Sequence, residues 1–110
     1  MHRYLKNLKE IMISDLNSVG GKNASLGEMM NGLNKLDIKC PQGYALTTEA
    51  YNDFIKGNEI APYLQSMLNK IDLADTKKLH SCGTSIREKI LSSKLSKEIK
   101  EATEIAWNSL

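Results

Sequence analysis

Residues 18–30 read SVGGKNASLGEMM, and how this stretch folds decides much of what can be built around it. Gly20-Gly21 supplies positions where positive φ carries no steric cost, so the loop expected over Asp15–Gly21 closes there. Beyond it the periodicity changes. Leu26, Met29, Met30 and Leu33 fall at i, i+3, i+4 and i+7, with Leu36 extending the stripe. That spacing predicts an amphipathic helix over residues 23–36 that ends at Leu36-Asp37. Ser25 and Glu28 have capping-box spacing, with Asn23 as the alternative cap. Lys22 is thereby set at a helix N-terminus, where unpaired N–H groups and the helix dipole favour an anion.

Working outward, RYLK over residues 3–6 reads as a short strand. On the other side, Pro41 and Gly43 bound a turn, and Tyr44-Ala45-Leu46-Thr47 reads as a short buried strand. Thr47 or Thr48 then caps a helix carrying Glu49 in its first turn and Tyr51, Phe54 and Ile55 on its apolar face, ending at Lys56-Gly57-Asn58. Ile60, Leu64, Met67, Leu68 and Ile71 mark the next helix. Asp72 and Asp75 flank a break before a helix from about 76 to 92 on Leu79, Cys82, Ile86 and Ile90. A last helix from about 96 carries Leu95, Ile99, Ala102, Ala106 and Leu110, with Trp107 beside them. The expected fold is α/β but mostly helical, with a few short strands. Two strands alone make a poor sheet, so the pattern reads as part of a larger α/β unit.

Composition narrows the function classes. The 110 residues suit one domain at most, and 41% hydrophobic with 25% charged residues is ordinary for a globular chain. Fifteen basic against thirteen acidic residues leave a net charge of only +2, and the basic residues form no concentrated patch, which argues against a nucleic-acid partner. Cys40 and Cys82 are too few for a disulfide framework and lack zinc-site spacing, so they read as free thiols in a reducing compartment. The N-terminus has no secretory pattern and no apolar run reaches the length of a membrane span, so a cytoplasmic protein without a membrane partner is expected.

Two common phosphate motifs fail on the glycine-lysine junction. A P-loop aligned on Gly21-Lys22 would need a glycine at Leu16 and a hydroxyl at Asn23, and the dinucleotide fingerprint is absent. Taken alone, the junction reads as a capping turn with Lys22 in solvent, and Arg87 as the partner of Glu88 or another nearby acid. The longer strings carry more. VGGKNASLGEM followed by CPQGYALTTEAYNDFI resembles the opening of the phosphoenolpyruvate synthase (pyruvate, water dikinase) family. That family shares its N-terminal nucleotide-binding domain type with pyruvate phosphate dikinase and rifampicin phosphotransferase. The resemblance continues through LADTKKLHSCGTSIREKI and IKEATEIAWNSL, so it covers essentially residues 1–110 as a single domain portion. The N-A-S-L-G-E-M wording favours the synthase among the three.

The resemblance implies the N-terminal portion of an ATP-grasp-like nucleotide-binding domain, with Lys22 and Arg87 contacting the phosphates of ATP. Chemistry agrees, since a lysine at a helix start adds to the field on a polyphosphate and an arginine brings a planar fork for bidentate contact. The family reaction turns pyruvate, ATP and water into phosphoenolpyruvate, AMP and phosphate through a phosphohistidine, with Mg²⁺ bridging the phosphates. Neither His2 nor His80 has the phosphohistidine context, and acidic Mg²⁺ ligands have no counterpart in this sequence. His80 reads as a surface or packed histidine, and no catalytic or metal-ligating residue is assigned. The expectation is therefore a fragment, inactive alone, whose partners are ATP and the remaining domains of the same enzyme. Three alternatives stand beside it: a rifampicin phosphotransferase fragment, a pyruvate phosphate dikinase fragment, and a non-catalytic helical interaction module. Folding of the piece by itself and pairing as a homodimer through an uncovered helical face are both left open at this point.

Overall fold

The computed structural model describes residues 2–110. Two short strands, β1 (Leu5–Asn7) and β2 (Tyr44–Leu46), and six helices make up the regular structure: α1 (Leu16–Val19), α2 (Gly21–Asn34), α3 (Thr48–Gly57), α4 (Ile60–Asn69), α5 (Thr76–Ser92) and α6 (Lys97–Asn108). The chain divides into two compact units, Met1–Asn52 with Lys97–Leu110, and Asp53–Ser96.

In the first unit β1 and β2 pair antiparallel, with Leu5 opposite Leu46, Lys6 opposite Ala45 and Asn7 opposite Tyr44. The ladder is extended by the Thr47 N–H on the Tyr4 carbonyl and the Leu8 N–H on the Gly43 carbonyl, each at 3.0 Å. One face of the ribbon packs on α6, where Ile99 and Ala102 are buried. The expected strand over Tyr44–Thr47 is thus present, but only Ala45 within it is buried; Leu46 is half exposed. Thr47 just beyond is buried and does double duty, donating to the Arg3 carbonyl at 2.6 Å and accepting the Ala50 N–H at the start of α3.

The core of this unit is Ile11, Val19, Ala24 and Ala45, with Leu8 packed against it. Ile11 is fully buried because α2 comes unusually close to it. A Cβ on Gly27 would lie 2.5 Å from the Ile11 carbonyl oxygen and 2.6 Å from its Cβ. Two further side chains of α2 hold the same segment: Asn31 donates to the Ile11 carbonyl at 3.1 Å and Glu28 accepts the Ile13 N–H at 3.0 Å.

This docking corrects the expected apolar stripe. Ala24, Gly27 and Met30 are the buried residues of α2, whereas Leu26, Met29 and Leu36 are exposed, Met29 by 52% and Leu36 by 70%. The contact row is Ala24, Gly27, Glu28 and Asn31, which has the same i, i+3, i+4, i+7 spacing on a different face. Close backbone approach and polar clamps replace large apolar side chains. The helix ends at Asn34, two residues short of the expected Leu36, and leaves through a Schellman arrangement: Asp37 is left-handed at φ 57°, and the Ile38 N–H reaches back to the Leu33 carbonyl at 3.1 Å.

The expected loop over Asp15–Gly21 is instead a 3₁₀ turn over Ile13–Asp15 running into α1. Asp15 organises it. One carboxylate oxygen accepts the Met12 N–H at 2.9 Å and the other accepts Lys6 Nζ at 2.9 Å, while the Ser18 hydroxyl donates to the Asp15 carbonyl. The Met12 hydrogen bond first, then the Lys6 hydrogen bond and charge, hold the Asp15 carboxyl below its ordinary pKa. At the strand's other end Arg3 bridges elements distant in sequence, reaching Glu49 of α3 at 3.3 Å and Glu98 of α6 at 3.0 Å with its guanidinium over the Tyr4 ring.

In the second unit α4 and α5 pack together, around fully buried Ile60 and buried Cys82, and Lys89 lies over the Tyr63 ring. Helix α5 covers the expected span and is capped by Asp75, whose side chain accepts the Lys78 N–H. Asn58 closes the unit: its amide donates to the Phe54 and Lys94 carbonyls and its oxygen accepts the Lys94 N–H at 3.2 Å. Among the described residues no helix is long and apolar enough to cross a membrane.

Two measurements check this account. Gly27→Ala is expected to lower stability by roughly 1–3 kcal/mol through overpacking against Ile11, although alanine favours helix. Gly32→Ala, where a Cβ meets nothing within 4 Å, is expected to raise stability by about 0.5–1 kcal/mol; urea midpoints compare the two. Because the Asp15 pKa is lowered on folding, its contribution is present above the unfolded value and is lost as pH falls through the folded one. Acid titration of stability below about pH 4 should therefore be shallower in Asp15→Asn than in the parent chain.

Candidate functional site

The candidate site begins with the turn between α1 and α2. Gly20 has φ 82° and precedes the first residue of α2, so the chain reverses there in a conformation that glycine alone adopts readily. Gly21 is already helical, and a Cβ on it would meet only Leu16 Cδ1 at 3.5 Å. One glycine of the pair is thus required by the backbone and the other is not. The helix therefore starts two residues earlier than the periodicity indicated, at Gly21 rather than residue 23.

Neither candidate cap is used as one. No side chain caps α2. Ser25 lies within the helix and is exposed. Asn23 turns back to donate to the Val19 carbonyl at 2.9 Å, which ties α2 to α1 instead of covering the helix start. Glu28, the other half of the expected capping box, is taken by the Ile13 N–H. An uncapped first turn leaves backbone N–H groups and the positive end of the dipole available.

Lys22 is the second residue of that turn. It is exposed and makes no hydrogen bond or ion pair among the described residues. By helical spacing it shares a face with Leu26 and Met29, both exposed. The arrangement is a cation at an open helix start, followed by an apolar strip.

Arg87 lies in the second unit, on the exposed side of α5. It forms no ion pair with Glu88 or any other acid among the described residues. Its guanidinium lies back along its own helix, with Nη2 donating to the Thr84 hydroxyl at 3.3 Å. Gly83, one turn earlier, lies under it: a Cβ there would stand in ordinary contact, 3.4 Å from Nη1. Lys22 and Arg87 belong to different units. His80 is an exposed residue of α5 whose carbonyl accepts the Thr84 hydroxyl. Thr48 donates to the Asn17 carbonyl at 3.1 Å, and Thr47 is committed to the strand-helix junction.

Among the described residues no group of three or more His, Cys, Asp or Glu side chains could hold a metal ion. Cys40 and Cys82 are both free thiols. The residue that sequence reasoning passed over is Thr84. Its only sequence signal is a hydroxyl three positions before Arg87, within reach on one helix face.

Comparison with known proteins gives this geometry a context. The family model for the pyruvate phosphate dikinase AMP/ATP-binding domain matches residues 16–110. The phosphoenolpyruvate synthase of Neisseria meningitidis is 35% identical over 107 residues, covering 97% of this chain and 14% of that protein. That of Escherichia coli is 33% identical over 101 residues, covering 92% of this chain and 13% of its own length. That of Helicobacter pylori is 37% identical over 107 residues, covering 94% of this chain and 13% of the relative. The chain therefore spans about one seventh of the length of these curated relatives. With the family model matched over most of its length, the chain belongs to the pyruvate phosphate dikinase AMP/ATP-binding domain family.

Proposed function

We propose that this chain supplies one wall of the ATP site of a phosphoenolpyruvate synthase, with Lys22 and Arg87 binding the phosphates. The observation that carries the reading is Lys22 itself, an exposed cation without a protein partner in the uncapped first turn of α2. A lysine that only decorated a capping turn would sit beside a capped helix. Here the helix start is open and the nearest amide, that of Asn23, is turned away to Val19. A polyphosphate seated there would meet backbone N–H groups and an ammonium together, which is the electrostatic arrangement an anion favours.

Arg87 adds a planar guanidinium that no carboxylate neutralises among the described residues. With one N–H on Thr84, the remaining donors are available for phosphate oxygens. On this reading each residue, within its own unit, offers a cation to nucleotide phosphate in an ATP-grasp-like domain. The relatives' names, phosphoenolpyruvate synthase, support that activity for the whole enzyme; the resemblance of the sequence implies that it runs from pyruvate, ATP and water to phosphoenolpyruvate, AMP and phosphate through a phosphohistidine. The phosphohistidine, the pyruvate site and the Mg²⁺ ligands belong to other parts of the enzyme. Those parts are the partners of this chain, in a cytoplasmic protein.

Arginine and lysine do different work in such a site. Lys22 is a point charge whose effect falls with salt, while Arg87 fixes orientation through paired hydrogen bonds. In the protein expressed from its complete reading frame, Lys22→Ala and Arg87→Ala are each expected to weaken ATP use by about 1–3 kcal/mol. Steady-state kinetics with ATP varied checks this, and unchanged kcat/KM for ATP in both variants overturns the assignment.

A further inference from the structure

We infer that Thr84 is a positioning residue for Arg87, holding the guanidinium in a preorganised orientation for phosphate; this rests on the nucleotide reading above. Three features of α5 combine. Arg87 Nη2 donates to Thr84 Oγ1 at 3.3 Å, and the same hydroxyl donates its own proton to the His80 carbonyl at 3.2 Å. The hydroxyl is therefore oriented by the helix backbone so that a lone pair faces the arginine. Gly83 lies beneath the guanidinium, where a Cβ would stand in ordinary contact with Nη1, Cζ and Nη2 at 3.4 to 3.9 Å.

A glycine inside a helix costs stability relative to alanine, and Gly83 sits well inside the seventeen residues of α5. Next to it stands a threonine, itself an indifferent helix former whose hydroxyl is spent on the preceding turn. Both departures from good helix chemistry fall under the one arginine. An exposed arginine ordinarily samples many rotamers and loses that freedom when it binds. Tethering one N–H to Thr84 removes part of the loss beforehand and leaves the other edge of the fork facing solvent.

The test uses the protein expressed from its complete reading frame, with the dissociation constants of ATP and of adenosine measured by calorimetric titration. Thr84→Val removes the hydroxyl and keeps the branched shape; Thr84→Ser keeps the hydroxyl. Thr84→Val is expected to weaken ATP binding by about three- to tenfold while leaving adenosine binding and the melting temperature near parental values. Thr84→Ser is expected to restore ATP binding. Loss of ATP and adenosine affinity in equal proportion in Thr84→Val would show a structural effect and overturn the inference. If Arg87→Ala weakens ATP binding but Thr84→Val does not, the positioning role fails while the nucleotide site stands. If Arg87→Ala leaves ATP binding unchanged, the phosphate reading fails and Thr84 has nothing to position.

Discussion

The close approach of Gly27 to Ile11 sets the geometry of the first unit. With no side chain at Gly27, α2 settles against the backbone of the segment before α1, burying Ile11 completely beside Val19, Ala24 and Ala45. Asn31 and Glu28 then fasten that segment through its own carbonyl and N–H groups. Buried backbone polar groups need partners, and here the helix's polar side chains supply them. Once α2 is fixed by this row, its first turn and the direction of Lys22 are fixed too, because a helix is stiff over two turns.

The same constraint explains what the sequence disclosed and what it concealed. Helix α5 was legible because Asp75 caps it and its apolar residues repeat at helical spacing. The second strand was legible as a β-forming run after the Pro41–Gly43 turn, while the first forms over Leu5–Asn7, shifted from the expected 3–6 to the register in which it pairs with Tyr44–Leu46. The buried face of α2 was not legible. Periodicity counts large apolar side chains, and on this helix Met30 is buried but Leu26 and Met29 are exposed, while Ala24 and Gly27 complete the buried face and Glu28 and Asn31 clamp the facing segment. A close backbone approach leaves no mark in a hydrophobic pattern.

Arg3 shows a second kind of blindness. Its partners, Glu49 and Glu98, lie 46 and 95 positions away along the chain. Their charges raise its already high pKa further, the Glu98 hydrogen bond contributing most. Nothing local distinguishes it from any other surface arginine. Lys22 and Arg87 were found by the opposite route, through strings whose resemblance to a nucleotide-binding family singled out two cations that composition alone would leave on the surface. The turn residues could be sorted only with coordinates: Gly20 for its φ, Gly21 for none that the fold requires.

These differences bear on how a phosphate site is made from ordinary parts. A helix start becomes useful to an anion only if its own side chains decline to cap it. In α2 each candidate has another engagement: Asn23 with Val19, Glu28 with Ile13, and Ser25 placed too far into the helix. On the proposed reading of Lys22, the side chains that hold the neighbouring segment are also the ones that leave the start of α2 uncapped. A change at Asn23 would remove the tie from α2 to the Val19 carbonyl, and a change at Glu28 would leave the Ile13 N–H without its acceptor. If the proposed phosphate contact at Lys22 holds, stability and anion affinity are coupled through acceptors and donors that can serve only one partner at a time.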